Sequence, residues 1–232
     1  MRKTDFFDKT KGGLIVSCQA LENEPLHGPQ IMARMAAAAM LGGACGIRAN
    51  AAEDIRAIQK EVNLPVIGII KVTGPGREYF ITPTEKEVEA LASCGVDVIA
   101  IDATARLRPD GRPIAEIFAV IRRLYPDQLF MADCAEWEDC IQAQELGFDI
   151  IATTMRGYTP RTAGVKLPDF ELLTRLGSVL HTPVIAEGGI WTPQDLGRIL
   201  SIPGIHAAVV GSAITRPMEI TRRFVSEIPA VH

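Results

Sequence analysis

The sequence predicts a (β/α)8 TIM barrel, folded as one domain over residues 1–232, with its active site at the C-terminal ends of the strands. Three observations lead there. Eight short apolar runs rich in β-branched residues recur along the chain, and segments with the period of an amphipathic helix lie between them. The length of 232 residues suits such a barrel, and no linker or composition break divides it. The runs are continuous rather than alternating, as expected of parallel strands covered on both faces.

The first strand is expected at Leu14–Cys18, followed by a helix marked by Ile31, Met35 and the alanines 36–39. The second strand is Cys45–Arg48, with Ile55, Ile58 and Val62 marking its helix. The third is Val66–Lys71. Its helix, carrying Val88, Leu91 and Ala92, opens on a capping-box pattern, Thr84 with Glu87, and stops near Gly95. The fourth strand, Val98–Asp102, leads into a helix with Ile117, Val120 and Leu124, and the fifth, Leu129–Asp133, into one closed by Gly147. The sixth and seventh are Ile150–Thr154 and Val184–Glu187. Thr192 followed by Pro193 fits an N-cap and first helical position before the eighth strand, Ala207–Val210. The longer connections, 71–83 and 155–168, carry Gly and Pro and are candidate lids.

Composition narrows the function. A net charge of −4 without a basic stripe argues against nucleic acid and membrane surfaces as partners. No apolar run reaches the ~18 residues of a membrane span. The N-terminal MRKTDFFDKTKGG has no apolar core followed by a cleavage site, so no secretory signal is expected. Cysteines 18, 45, 94, 134 and 140 are scattered without a CxxC, which reads as reduced thiols in a cytoplasmic protein. The four histidines are scattered too, and no metal site is expected.

Residues closing the strands converge on the mouth: Gln19, Arg48, Lys71, Asp102, Asp133, Thr153 and Thr154, Glu187, Gly211 and Ser212. A partly desolvated lysine at a strand end has a lowered pKa and suits general-base or Schiff-base work, though Lys71 also reads as a surface residue starting a loop. Glu187, between Ala186 and Gly188 on a buried strand, needs a partner, which a structural ion pair would also supply. Arg48 suits a forked contact to a carbonyl, carboxylate or phosphate, and equally a structural carboxylate. Asp102 and Asp133 stand where hydroxyl-binding carboxylates often stand, or cap the next helix. Gly188–Gly189 and Gly211–Ser212 follow the last two strands, the usual phosphate position in such barrels. Cys18 and Cys134 have no histidine near enough in the pattern to activate them and read as apolar fillers.

Several motifs resemble one family. LIVSCQALENEPLH (14–27), GIRAN (46–50), IGIIK (67–71), YFITPT (79–84), IDAT (101–104), MAD (131–133), GYTP (157–160), IAEGG (185–189) and VVGSAITRP (209–217) are spread in order over nearly the whole chain. They are similar to the N-acetylmannosamine-6-phosphate 2-epimerase family of bacterial amino-sugar and sialic acid catabolism. The resemblance implies a cofactor-free isomerase interconverting N-acetyl-D-mannosamine 6-phosphate and N-acetyl-D-glucosamine 6-phosphate through an enolate, in a homodimer. It implies that Lys71 is the catalytic acid/base and Glu187 its partner. Gln19, Arg48, Asp133, Thr153 and Arg216 would then bind substrate, and Gly188, Gly189, Gly211 and Ser212 the phosphate. The chain departs from the family pattern at Gly189, where a basic or polar residue is expected, and this bears on phosphate affinity. Two alternatives remain at this level: a Schiff-base aldolase or lyase using Lys71, and a sugar-phosphate-binding barrel without turnover.

Overall fold

The computed structural model describes residues 3–73 and 78–229. Helix α1 (Lys3–Thr10) precedes β1 (Leu14–Cys18), α2 (Pro29–Leu41), β2 (Gly46–Asn50), α3 (Ala52–Glu61) and β3 (Val66–Ile69). A small hairpin, β4 (Lys71–Thr73) and β5 (Tyr79–Ile81), then leads to α4 (Glu85–Ala92). The remainder alternates regularly: β6 (Val98–Asp102), α5 (Ile114–Leu124), β7 (Leu129–Asp133), α6 (Trp137–Leu146), β8 (Ile150–Ala152), α7 (Phe170–Val179), β9 (Val184–Glu187), α8 (Pro193–Leu200) and β10 (Ile205–Val210). Two helices close the chain, α9 (Ser212–Thr215) and α10 (Pro217–Ser226).

Eight of these strands form the closed parallel barrel the sequence predicts, in the ring order β1-β2-β3-β6-β7-β8-β9-β10. The ring closes where Val16 of β1 sits opposite both Ile47 of β2 and Val210 of β10. Successive strand residues point to opposite sides, so one residue in two faces inward. Ile67 and Ile69, Val98 and Ala100, Leu129 and Met131 share one buried cluster inside the barrel. Their neighbours Ile99, Ile101, Phe130 and Ala132 face the helices instead. Gly68 belongs to that outer set. A Cβ there would stand 2.9 Å from Val96 Cγ1 and 3.0 Å from Leu91 Cδ2, so its bare backbone is what lets α4 pack closely.

The predicted start signals are present. Thr84 and Glu87 form a capping box, the Thr192 side chain accepts the Asp195 N–H, and Gly147 ends α6 in the left-handed conformation at φ +84°. Some strand ends shift. The third barrel strand stops at Ile69 because Ile70 turns its hydrogen bonds to Thr82: its N–H donates to Thr82 Oγ1 at 3.2 Å and its carbonyl accepts the Thr82 N–H at 2.7 Å. Lys71 therefore opens the hairpin rather than closing the barrel strand. The candidate lid 71–83 is that hairpin, and its tip at 74–77 lies outside the described residues.

At the opposite end, α1 plugs the barrel floor. Phe6 is buried against Ile15 and the interior cluster, and Thr10 Oγ1 ties the helix to His206 at 3.0 Å. Fully burying a phenylalanine at such a floor is worth several kcal/mol. Phe6→Ala should lower unfolding stability by about 3 kcal/mol, read as a shift of the urea midpoint.

Candidate active site

Inward parity decides which side chains meet above the barrel core. Following each strand two residues past its last apolar inward position brings Ser17 and Gln19, Arg48, Lys71, Asp102, Asp133, Thr154 and Glu187 to the same level. A cavity of about 700 Å³ opens there. Of the residues expected from sequence, Gln19, Arg48, Lys71, Glu187, Gly188, Gly189, Gly211, Ser212 and Arg216 line it.

Asp133 and Thr153, expected as substrate contacts, do not reach the cavity wall. Asp133 is fully buried beneath Arg48. Arg48 Nη1 and Nη2 donate to its two oxygens at 3.1 and 2.6 Å as a forked pair. Thr153 has the outward parity. Its hydroxyl donates to the Glu187 carbonyl at 2.8 Å and accepts the Glu187 N–H at 3.1 Å, fixing that backbone from outside. The inward residue is Thr154, whose hydroxyl lies 2.6 Å from Asp133 Oδ1 and 3.0 Å from Glu187 Oε2. Asp102 is also withdrawn from the cavity. It binds Thr104, Arg106 and Arg108, holding the loop after β6 rather than capping α5.

Glu187 and Lys71 meet opposite electrostatic demands. Burial pushes the Glu187 carboxyl up from its ordinary value, and the charge of Asp133 adds to this, while Arg48 Nη1 at 3.3 Å pulls the other way. Burial lowers Lys71 to about 8, helped by the guanidiniums of Arg48 and Arg216 and opposed by Glu187 and Glu24. Its backbone is held by Asn50, whose Oδ1 accepts the Lys71 N–H at 2.9 Å. Arg48 itself stays charged, because Asp133 and Glu187 outweigh the effect of burial. Lys71 and Glu187 thus face one cavity with their pKa values moved toward each other.

Further polar and charged groups stand around them. Gln19 Nε2 donates to Ser17 Oγ at 2.7 Å and leaves Oε1 buried without a partner among the described residues. Arg216 Nε donates to Glu24 Oε2 at 2.8 Å, and Nη2 binds the other oxygen. Burial would raise the Glu24 carboxyl, but Arg216 and the Leu21 N–H hold it below its ordinary value. Gly188 and Gly189 adopt φ +114° and +67°. A Cβ at Gly189 would stand 2.2 Å from Leu167 Cβ, which explains why no basic or polar side chain occupies that position. A cation does stand nearby: Arg223 of α10 lines the cavity with its guanidinium 4.2 Å from the Trp191 ring.

Glu24, Arg106 and Arg223 were not singled out from the sequence. They come from loops and a peripheral helix, where no strand parity marks them. Ser17 was not singled out either and Thr154 was named only alongside Thr153; counting in twos from Ile15 and Ile150 is the signal that marks both as inward. Cys18 and Cys134 point outward into the helix layer, and burial pushes Cys18 up to about 12, so neither is a nucleophile. Among the described residues no three His, Cys, Asp or Glu side chains gather as a metal site, and no helix is long and apolar enough to cross a membrane.

Fold and site together define a (β/α)8 barrel with a lysine and a glutamate of shifted pKa facing one cavity at its C-terminal mouth. Comparison with known proteins makes this particular. The model of the NanE family, described as "Putative N-acetylmannosamine-6-phosphate epimerase", matches residues 32–230, and the chain belongs to that family. Relatives described as "Putative N-acetylmannosamine-6-phosphate 2-epimerase" include one from Caldanaerobacter subterraneus, 52% identical over 97% of this chain and 94% of its own length. One from Clostridioides difficile is 53% identical over 95% and 98%. The solved N-acetylmannosamine-6-phosphate 2-epimerase of Clostridium perfringens superposes with a TM-score of 0.90 at 46% identity, covering 96% of each chain. The YdjI aldolase of Escherichia coli, at 13% identity and a TM-score of 0.59 over 98% of this chain and 86% of its own, shares the fold alone.

The Arg48–Asp133 fork should be tightly coupled to folding. Asp133→Asn leaves a buried guanidinium without its counter-charge and should lower stability by about 3–5 kcal/mol, measured by chemical denaturation, whereas Thr153→Ser should change it little.

Proposed function

We propose that the protein interconverts N-acetyl-D-mannosamine 6-phosphate and N-acetyl-D-glucosamine 6-phosphate by inverting C2, without a cofactor. The observation that carries this reading is the Lys71–Glu187 pair. Lys71 stands just past the end of the third strand of the eight-strand ring and Glu187 ends the seventh, so they face each other across the cavity with pKa values displaced toward each other. Membership of the NanE family supplies the substrate class.

In the ring-opened sugar the C2 proton lies beside the C1 aldehyde. Neutral Lys71 takes that proton, the C–H electrons pass into the C2–C1 enolate, and the negative charge develops on the aldehyde oxygen. Glu187, in its neutral form, returns a proton to the opposite face of C2. The pair then holds its proton on Lys71 rather than Glu187, which is the state the reverse reaction requires. General acid–base groups contribute ~10²–10⁴-fold each, so charge stabilisation must contribute as well. Arg48 Nη1 and the amide of Gln19 are the donors at the cavity wall suited to the aldehyde oxygen and the N-acetyl group. Gly188, Gly189, Gly211 and Ser212 would receive the phosphate through backbone N–H groups, with Arg216 and Arg223 supplying positive charge beside them. Five free thiols suit a reducing, cytoplasmic setting.

Activity requires one proton on the pair. Below the Glu187 pKa both groups are protonated and no base remains. Above the Lys71 pKa, about 8, both are deprotonated and no acid remains. A coupled assay should therefore give a bell-shaped pH profile whose upper limb falls near 8. Lys71→Ala should abolish epimerisation, and Glu187→Gln should lower kcat by about 10²–10⁴-fold. In deuterated water the product should carry deuterium at C2; product without it would overturn the proposal. Borohydride with substrate should leave Lys71 unmodified, since trapping would indicate a Schiff base instead.

A homodimer, implied by the family resemblance, would be served by α10, whose Phe224, Val225 and Ile228 just beyond it are exposed in the single chain. Sedimentation should give the mass of two chains for the wild type and a weaker association for Phe224→Glu.

A further inference from the structure

Asp133, buried below the cavity, and Glu187 on its wall share one hydroxyl. Thr154 Oγ1 lies 2.6 Å from Asp133 Oδ1 and 3.0 Å from Glu187 Oε2, yet it has a single hydrogen to donate. Asp133 is the committed anion of the two, since both its oxygens receive N–H groups from Arg48. The shorter contact is therefore the one in which Thr154 donates to Asp133. The 3.0 Å contact is then a hydrogen bond only when Glu187 carries a proton and the threonine oxygen accepts it.

We propose that Thr154 is a positioning residue for the acid of the pair: the chain Glu187 O–H to Thr154 O–H to Asp133 holds Glu187 loaded with its proton, and the hydroxyl turns to Glu187 once the proton has left. The proposal deepens the reading of Glu187 as the acid partner of Lys71 and rests on it. Counting bonds gives its direction. With Glu187 neutral the threonine makes two hydrogen bonds, and with Glu187 ionised it makes one, because two acceptors then compete for one hydrogen.

The other charged groups facing this carboxyl act from different strands. Arg48 of β2, at 3.3 Å, and Lys71 after β3 favour the anion, while Asp133 of β7 favours the neutral acid. A Thr154 hydroxyl donating to Glu187 would also favour the anion. Its single hydrogen is taken by the 2.6 Å bond to Asp133, however, so in this geometry the Thr154 oxygen is left to accept from the neutral acid. Its neighbour Thr153 completes the arrangement by clamping the Glu187 backbone, so adjacent threonines of opposite parity hold one residue at two points.

The test reads the Glu187 proton directly. In protein labelled with 13C at glutamate carboxyls, the Glu187 resonance is identified by its loss in Glu187→Gln and followed against pH. Thr154→Val keeps the volume and removes the hydroxyl. It should lower the Glu187 midpoint by about half to one pH unit, the scale of one neutral hydrogen bond. The acid limb of the kcat profile should move down with it while KM changes little, and Thr154→Ser should restore the wild-type titration. An unchanged midpoint, or one that rises, would overturn the proposal, the rise because it would mean that the hydroxyl chiefly serves the anion. Should Thr154→Val fail to fold by circular dichroism, Thr154→Ala is read by the same criteria. A wild type that titrates as expected but does not turn over the sugar phosphate would overturn the epimerase reading and leave the hydrogen-bond chain standing.

Discussion

Arg48 is the largest side chain that the barrel buries completely, and its guanidinium governs the charge of everything around it. A cation in that position is tolerable only with a fixed counter-ion, which Asp133 provides as a two-point fork. Once that pair is neutral, the remaining balance falls on Lys71 and Glu187. With both neutral, the four groups sum to zero; with Lys71 protonated and Glu187 ionised, they again sum to zero. Passing a proton from one to the other by way of a substrate carbon therefore leaves the net charge of the buried mouth unchanged. Glu24 and Arg216 form a second self-neutral pair at its edge. In a low-dielectric site an uncompensated charge costs several kcal/mol, so under the proposed mechanism this neutrality in both states lets the proton move either way.

The barrel was legible because its strands are continuous apolar runs and its helices carry their own caps. Parallel strands covered on both faces conceal their alternation in hydrophobicity, however. Thr153 and Thr154 look alike in the sequence, and only counting in twos from Ile150 shows that Thr154 points inward and Thr153 outward. The same count places Asp133 on the inner face, but not its depth: Arg48, the longer side chain, reaches across from β2 and covers it. Lys71, expected to close the third strand, lies two residues past its end at Ile69. That it opens a hairpin depends on Thr82, twelve residues on, turning back to Ile70, a long-range pairing without a local signal. Gly189 was visible as a departure from the family pattern, and its cause, contact with Leu167 from a distant loop, was not.

The mouth also shows a division of labour between regular and irregular structure. Strand tips supply the groups whose position must be exact, because ladder hydrogen bonds on both sides hold each backbone rigidly. Loops and late helices supply the charges whose position can relax. Arg106, lying over Phe80 and bonded to the carbonyl of Tyr79, fastens the β4–β5 hairpin to the rim. Arg223 lies flat on Trp191 beside the glycine loops. Among the described residues Arg223 makes no ion pair, so its donors at the ring's edge can meet an anion directly, whereas Arg106 spends Nε and Nη2 on Thr104, Asp102 and Tyr79.

The value near 8 for Lys71 arises mainly from burial, so it depends on how much water the cavity holds. A space of about 700 Å³ admits many water molecules when empty. A substrate that fills it strips that water away, and desolvation then acts on both members of the pair at once. It lowers the lysine further and raises the glutamate further, which brings their proton affinities closer together. For a reaction whose two ends are epimers of one sugar, near-equal affinities are what serve both directions, since an acid much weaker or a base much stronger than its partner would favour one face of C2. Arg48 limits the drift by favouring ionised Glu187, and Thr154 opposes it with an added hydrogen bond to the neutral form. Their opposed effects on a single carboxyl give a physical reason for placing a fully buried arginine and an inward threonine on either side of the same glutamate.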